Sequence, residues 1–119
     1  MKRTLAIIMA LGFVVGFTGK ADADGEALWA SKKCKNCHNL DGKKKVGPGL
    51  AGVTGKRSEA WLVKWMTDTS GTWDDGSAET EAMKKDHGLE KQKKTKMKAA
   101  KVSEEEAKEI IAYLKANGA

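Results

Sequence analysis

The chain has 119 residues, a length from which we expect a single domain. Hydrophobic residues make up 40% of it and charged residues 32%, and a chain this short builds only a marginal core by itself. Its 22 lysine and arginine residues outnumber its 16 aspartate and glutamate residues, so the formal net charge is +6.

The N-terminal segment has the pattern of a secretory signal peptide. Lys2 and Arg3 are followed by a 13-residue apolar stretch and then by Ala21-Asp22-Ala23, an A-x-A cleavage site. The apolar stretch is too short to span a membrane, which needs about 20 residues. We therefore expect residues 1–23 to be removed on export, leaving residues 24–119 as a mature domain with no membrane span.

A first helix is predicted to begin at Asp24, which can cap it, and to end near Lys33. Its large apolar residues are Leu28 and Trp29. The chain passes directly from this helix into the most informative motif of the sequence.

The motif C-x-x-C-H, the attachment signature of c-type haem, occupies residues 34–38. Cys34 and Cys37 lie three residues apart, so one helical turn points both sulfurs the same way. Each thiol can then form a thioether with one haem vinyl group. His38 follows at once, and its imidazole is the candidate proximal ligand of the iron. Because the motif uses both cysteines, the chain has no disulfide framework.

Three other interpretations of the cysteine pair are weaker. A thioredoxin-like redox pair belongs in a strand-helix-strand pattern, and none surrounds this motif. A zinc site usually takes four ligands, and the chain offers only Cys34, Cys37, His38 and the distant His87. A disulfide across a tight turn is the third alternative.

A glycine-rich segment, Val46-Gly47-Pro48-Gly49-Leu50, follows the motif after a polar loop. Pro48 has no N–H but keeps its carbonyl, which can accept the second ring N–H of His38 and fix the ring's orientation. The alternative is a simple turn. Further glycines at positions 52 and 55 indicate a loop in close backbone contact with something flat.

These two segments together, C-K-N-C-H and V-G-P-G-L-A-G-V-T-G-K-R, resemble the class I c-type cytochromes of bacteria. The resemblance implies an all-α fold of about four helices wrapped around one covalently attached haem c. It places Pro48 and Leu50 along the proximal side of the haem, with the proline carbonyl on the proximal histidine. It also places Arg57, or alternatively Lys56, near a haem propionate.

Two helices are predicted in the middle of the chain. Ser58 can cap the first of them, and its apolar stripe consists of Trp61, Leu62, Trp65 and Met66. Residues 68–76 read as a polar loop in which Trp73 either donates its indole N–H to a propionate or covers the core. Residues 77–87 are predicted to form the next helix, ending at Gly88.

A lysine-rich loop and a well-marked helix end the chain. The loop, residues 89–101, contains Met97. Ser103 and Glu106 form a capping box. The apolar stripe that follows consists of Ala107, Ile110, Ile111 and Leu114. No segment alternates like a half-buried strand, which also predicts an all-α fold.

The identity of the sixth iron ligand decides whether the protein is expected to be an electron carrier or a catalyst. In the family that the chain resembles, the distal methionine sits in a loop shortly before the capped last helix, and Met97 occupies that place. The chain has M-K where the family usually has M-P. Met83 and Met66 lie on predicted helices, where methionine more often fills the core, and they remain alternatives together with His87 and an open site.

The function implied is a one-electron carrier, a soluble periplasmic monohaem cytochrome with a His/Met-ligated haem that serves larger redox proteins. The alternatives are a haem enzyme or gas sensor with an open or labile sixth site, and a dedicated electron-transfer subunit of a periplasmic oxidoreductase. We expect a monomer that does not bind nucleic acid. Its redox partner should be acidic where it meets a lysine-bearing face formed by Lys35, Lys43, Lys44, Lys45, Lys96 and Lys98.

Overall fold

The computed structural model describes residues 20–98 and 101–119, and all regular structure within these ranges is helical. The helices are α1 (Lys20–Ser31), α2 (Val53–Lys56), α3 (Glu59–Thr67), α4 (Thr69–Trp73), α5 (Ala78–Asp86) and α6 (Glu104–Ala116), with a 3₁₀ turn at Cys34–Asn36. The prediction of an all-α fold is thus confirmed. Across the described ranges, no helix combines the length and the apolar character needed to cross a membrane.

The first and last helices, α1 and α6, pack closely against each other. Gly25 makes this approach possible, because a Cβ atom there would lie 2.5 Å from the carbonyl oxygen of Glu109 and 2.6 Å from Cβ of Tyr113. Trp29 packs beside the same tyrosine with ring centroids 6.2 Å apart. The buried side of α6 completes this first core with Ala107, Ile110 and Leu114.

Helix α6 begins as its sequence predicts. The hydroxyl of Ser103 accepts the backbone N–H of Glu106 at 3.1 Å, and the Glu106 carboxylate accepts the backbone N–H of Ser103 at 3.0 Å. This capping box satisfies two of the backbone donors that a helix start leaves without partners. The predicted stripe is buried, and Ile111 on it faces a second core.

The second core lies between α3, α4, α5 and α6. It consists of Trp61, Leu62, Trp73, Met83 and Ile111, all at most 8% exposed. The buried threonines of α4 and α5, Thr69, Thr72 and Thr80, lie at the edge of this core and donate their hydroxyls to backbone carbonyls. Three of the four tryptophans, Trp61, Trp65 and Trp73, lie in this core or pack against it.

Two boundaries differ from the sequence prediction. Helix α1 begins at Lys20, so Asp24 lies inside the helix and does not cap it; alanines at 21 and 23 favour this earlier start. The predicted loop at 68–76 contains α4, which Asp68 caps by accepting the N–H of Gly71 at 3.1 Å. Most of the predicted signal peptide, residues 1–19, lies outside the described residues, and its cleavage stays a prediction.

Candidate haem site

The two cysteines sit in one tight turn at the end of α1. Lys33 has a positive φ of 63°, which turns the chain out of the helix. The backbone N–H groups of Cys37 and His38 then both donate to the carbonyl of Cys34, at 3.2 and 3.0 Å. Both thiols are half-buried, and burial raises the pKa of the Cys34 thiol. The turn therefore presents two partly accessible thiols three residues apart.

The imidazole of His38 is held by the glycine-rich segment. Its Nδ1 atom lies 2.9 Å from the carbonyl oxygen of Pro48, the contact expected from the sequence. A carbonyl only accepts hydrogen bonds, so Nδ1 carries the proton and Nε2 keeps its lone pair. That lone pair is what a metal ion requires, and the second-shell carbonyl fixes the ring that would supply it.

The glycine-rich segment approaches the ring very closely. The N–H of Gly47 donates to the carbonyl of Cys37 at 2.6 Å, and the N–H of Leu50 donates to the carbonyl of Asn39 at 3.0 Å. A Cβ atom on Gly47 would lie 2.5 Å from Cε1 of His38, so only glycine leaves room for the ring. Leu50 is half-buried and packs against the first core.

These residues fit a covalently attached haem. Two thiols are available within one turn, and the adjacent imidazole has its Nδ1 proton satisfied and its Nε2 available. The turn packs through Cys34 against the apolar first core, which provides the surroundings that a largely apolar macrocycle needs. Among the residues that the structure describes, no group of three or more histidine, cysteine, aspartate or glutamate side chains is arranged to hold a metal ion such as zinc.

Arg57 is paired with α5. Its guanidinium is 2.6 Å from the carboxylate of Asp86, and the arginine side chain is only 9% exposed. The arginine holds the pKa of Asp86 below its usual value. The expected contact between Arg57 and a haem propionate stays a prediction.

Met97 lies in the lysine-rich loop with its sulfur 3.2 Å from Nε1 of Trp65. Its side chain is half-buried, and its backbone N–H donates to the hydroxyl of Thr95 at 3.1 Å. Met83, in contrast, is 8% exposed within the second core, and Met66 packs against both cores. The environments of the two helical methionines favour their interpretation as core residues.

The acceptors of the tryptophan indole N–H groups were not predicted from the sequence. Trp73 donates its indole N–H to the carbonyl of Lys93 at 3.1 Å and is 3% exposed, which favours the interpretation that it covers the core. Trp65 was expected only as part of an apolar stripe. Chemistry alone does indicate that such hydrogen bonds exist, because a buried tryptophan usually needs an acceptor for its indole N–H.

Comparison with known proteins identifies the family. The cytochrome c family matches residues 23–117. A curated relative, cytochrome c-551 of Stutzerimonas stutzeri, is 41% identical over 58 residues, a segment that covers 49% of this chain and 55% of the relative. The match thus spans about half the length of that relative. No solved structure matches this chain. The chain belongs to the cytochrome c family, and its cofactor is one haem c attached covalently through Cys34 and Cys37.

Proposed function

We propose that this protein is a one-electron carrier of the periplasm, with His38 and Met97 as the two protein ligands of its haem iron. The observation that carries the proposal is the 2.9 Å contact between Nδ1 of His38 and the carbonyl of Pro48. It sets the tautomer and orientation that an iron-binding imidazole needs. When bound, the haem supplies reversible one-electron chemistry.

The choice of Met97 rests on its surroundings. A ligand must present a lone pair that the core has not enclosed, and the half-buried Met97 meets that condition better than Met83, which the second core encloses. The loop that carries Met97 is anchored at Lys93, whose carbonyl accepts the indole N–H of Trp73, and the bond from the Met97 N–H to Thr95 restrains it locally although no proline follows. Histidine and methionine together raise the reduction potential of a haem.

Two protein ligands also determine the class of activity. If His38 and Met97 both held the haem iron, no coordination position would remain for a substrate, which would fit a carrier and not an enzyme. The similarity to a protein named cytochrome c-551 supports the same conclusion. The signal-peptide pattern of residues 1–23 supports export to the periplasm.

A basic face around the haem motif supports docking to acidic redox partners. The ammonium group of Lys45 donates to the carbonyl of Lys35 at 2.9 Å, which brings the loop of residues 43–45 against the motif itself. These lysines are exposed, as are Lys96 and Lys98 beside Met97. Opposite charges speed the encounter of two proteins without requiring tight binding, which suits a carrier that acts as a monomer.

A carbon monoxide titration of the ferrous holoprotein tests the proposal. The wild type should bind carbon monoxide weakly because Met97 occupies the position, whereas Met97→Ala should bind it readily. Met83→Ala is the matched control and should behave like the wild type. Ready binding by the wild type would mean an open sixth position and would favour a haem enzyme or gas sensor.

A further inference from the structure

Three indoles form a continuous block beside Met97. Trp61 and Trp65 are stacked, with ring centroids 5.3 Å apart and planes 12° apart. Trp65 and Trp73 are tilted by 42° with centroids 6.3 Å apart. The middle ring is therefore confined on both sides, and contacts of this kind add to the energy of simple burial.

Each indole N–H in this block has a different acceptor. Trp61 donates to the hydroxyl of Thr80 at 2.9 Å, and Thr80 is fully buried. Trp73 donates to the carbonyl of Lys93 at 3.1 Å. Only the middle ring, Trp65, directs its N–H at a side chain proposed as an iron ligand, the sulfur of Met97 at 3.2 Å.

The block also fixes the loop that carries the sulfur. The bond from Trp73 to Lys93 holds the chain four residues before Met97. Thr95 accepts the backbone N–H of Met97, and Trp65 holds its side chain. The chain has Lys98 after the methionine, where proline would stiffen the backbone by fixing φ. Two of these contacts, those of Trp73 with Lys93 and of Trp65 with Met97, therefore restrain the loop from outside it, and the bond to Thr95 restrains it from within.

We propose that Trp65 is a positioning residue for the distal ligand, which its indole N–H holds through the sulfur of Met97. This inference rests on the proposed function, because it takes Met97 as the ligand. A thioether sulfur has two lone pairs, so it can accept the N–H with one and keep the other for iron. By holding the thioether in place, the hydrogen bond would favour ligation by methionine, and histidine and methionine together raise the reduction potential.

The test compares two identical substitutions in the holoprotein. Trp65→Phe keeps an aromatic ring and removes the donor to Met97. Trp61→Phe makes the same chemical change at the neighbouring ring, whose donor serves Thr80, and Thr80 keeps its bonds to Ser77 and Thr72. We expect Trp65→Phe to lower the midpoint potential and to raise the affinity for added imidazole about threefold to tenfold, the range that losing one hydrogen bond gives. Trp61→Phe should change neither quantity.

The outcomes separate this inference from the proposed function. If Trp65→Phe matches the wild type in potential and imidazole affinity while Met97→Ala loses the methionine-to-iron charge-transfer band, Met97 is the ligand and the inference is wrong. If Met97→Ala keeps that band, the ligand assignment itself fails. If Trp65→Phe does not fold, the inference can still be tested by measuring indole N–H exchange in the reduced wild type. The Trp65 N–H should exchange as slowly as that of Trp61, and exchange at the rate of an exposed indole would overturn the inference.

Discussion

At the scale of single residues, the site depends on how closely backbone and imidazole approach each other. Pro48 supplies the carbonyl that accepts the Nδ1 proton of His38, and Gly47 allows the backbone to lie against the His38 ring. The glycine contributes through the Cβ atom that it lacks, and the proline through a carbonyl on a backbone whose φ is fixed.

Gly47→Ala is therefore expected to displace the His38 ring. The added methyl group would lie 2.5 Å from Cε1 and 2.9 Å from Nδ1 of that ring, well inside normal contact. We expect a loss of about 1–3 kcal/mol in the free energy of unfolding, the usual effect of overpacking, together with a shifted midpoint potential. Gly42→Ala is the matched control, because a Cβ atom there meets nothing within 4 Å. Equal stability of the two variants in denaturant titrations would contradict this account.

The residues of the haem motif could be predicted because their chemistry is local. Cys34, Cys37 and His38 lie within five consecutive positions, and Pro48 follows within the same loop system. The contact between Trp65 and Met97 could not be predicted, because it joins residues 32 positions apart through a loop without periodicity. The same reason applies to Arg57, whose partner Asp86 lies 29 positions away on another helix.

At the scale of helices, α5 is fastened to the start of α3. The carboxylate of Glu79 accepts both the hydroxyl of Ser58 at 2.7 Å and its backbone N–H at 3.0 Å. The neighbouring ion pair between Arg57 and Asp86 joins the same two segments. Together they hold α5 and its buried Met83 against the tryptophan block.

This fastening should weaken in acid. The hydrogen bonds from Ser58, the side-chain bond first, lower the pKa of Glu79. A carboxyl group whose pKa is lower in the folded state stabilises the fold above its unfolded pKa, about 4.3, and loses that contribution as the pH falls through the folded value. The difference in thermal midpoint between wild type and Glu79→Gln should therefore be constant near neutral pH and shrink below about pH 4.

The control for this measurement is Glu81→Gln, which removes the same charge from the same helix without touching Ser58. Its difference from the wild type should depend less on pH. A difference for Glu79→Gln that stays constant down to the lowest pH at which the protein folds would show that the contact with Ser58 does not require the ionised carboxylate.

The longer helices could be predicted from the sequence because caps and stripes mark them. Ser58, Ser77 and Ser103 were each expected to begin a helix, and each accepts an N–H from three residues further on. The short helices α2 and α4 could not be predicted from the sequence, because each contains a glycine and neither is long enough to show a periodic apolar stripe.

At the scale of the whole molecule, the proposed role depends on where the positive charge lies. The formal net charge is +6, and exposed lysines border both the haem motif and the loop of Met97. A field of this sign steers anionic partners toward the site at which the electron is transferred.

Electron transfer to a small anionic oxidant, ferricyanide, should therefore depend on salt. The second-order rate of the reduced protein should fall as ionic strength rises, because exposed charges are screened beyond about 8 Å at physiological salt. The double variant Lys96→Glu with Lys98→Glu should react severalfold more slowly at low salt and depend less on salt. Lys108→Glu with Lys115→Glu, on α6, changes the net charge equally and should slow the reaction less. Equal effects of the two pairs would indicate that only the total charge matters.

The central claim, that Met97 and His38 hold the iron of an electron carrier, is tested most directly by the visible spectrum of the oxidised protein. The wild type should show a methionine-to-iron charge-transfer band, and Met97→Ala should lose it. Met83→Ala and Met66→Ala should keep it, because the cores of the fold already account for those side chains. A band that survives in Met97→Ala and disappears in either of the other two variants would contradict the account.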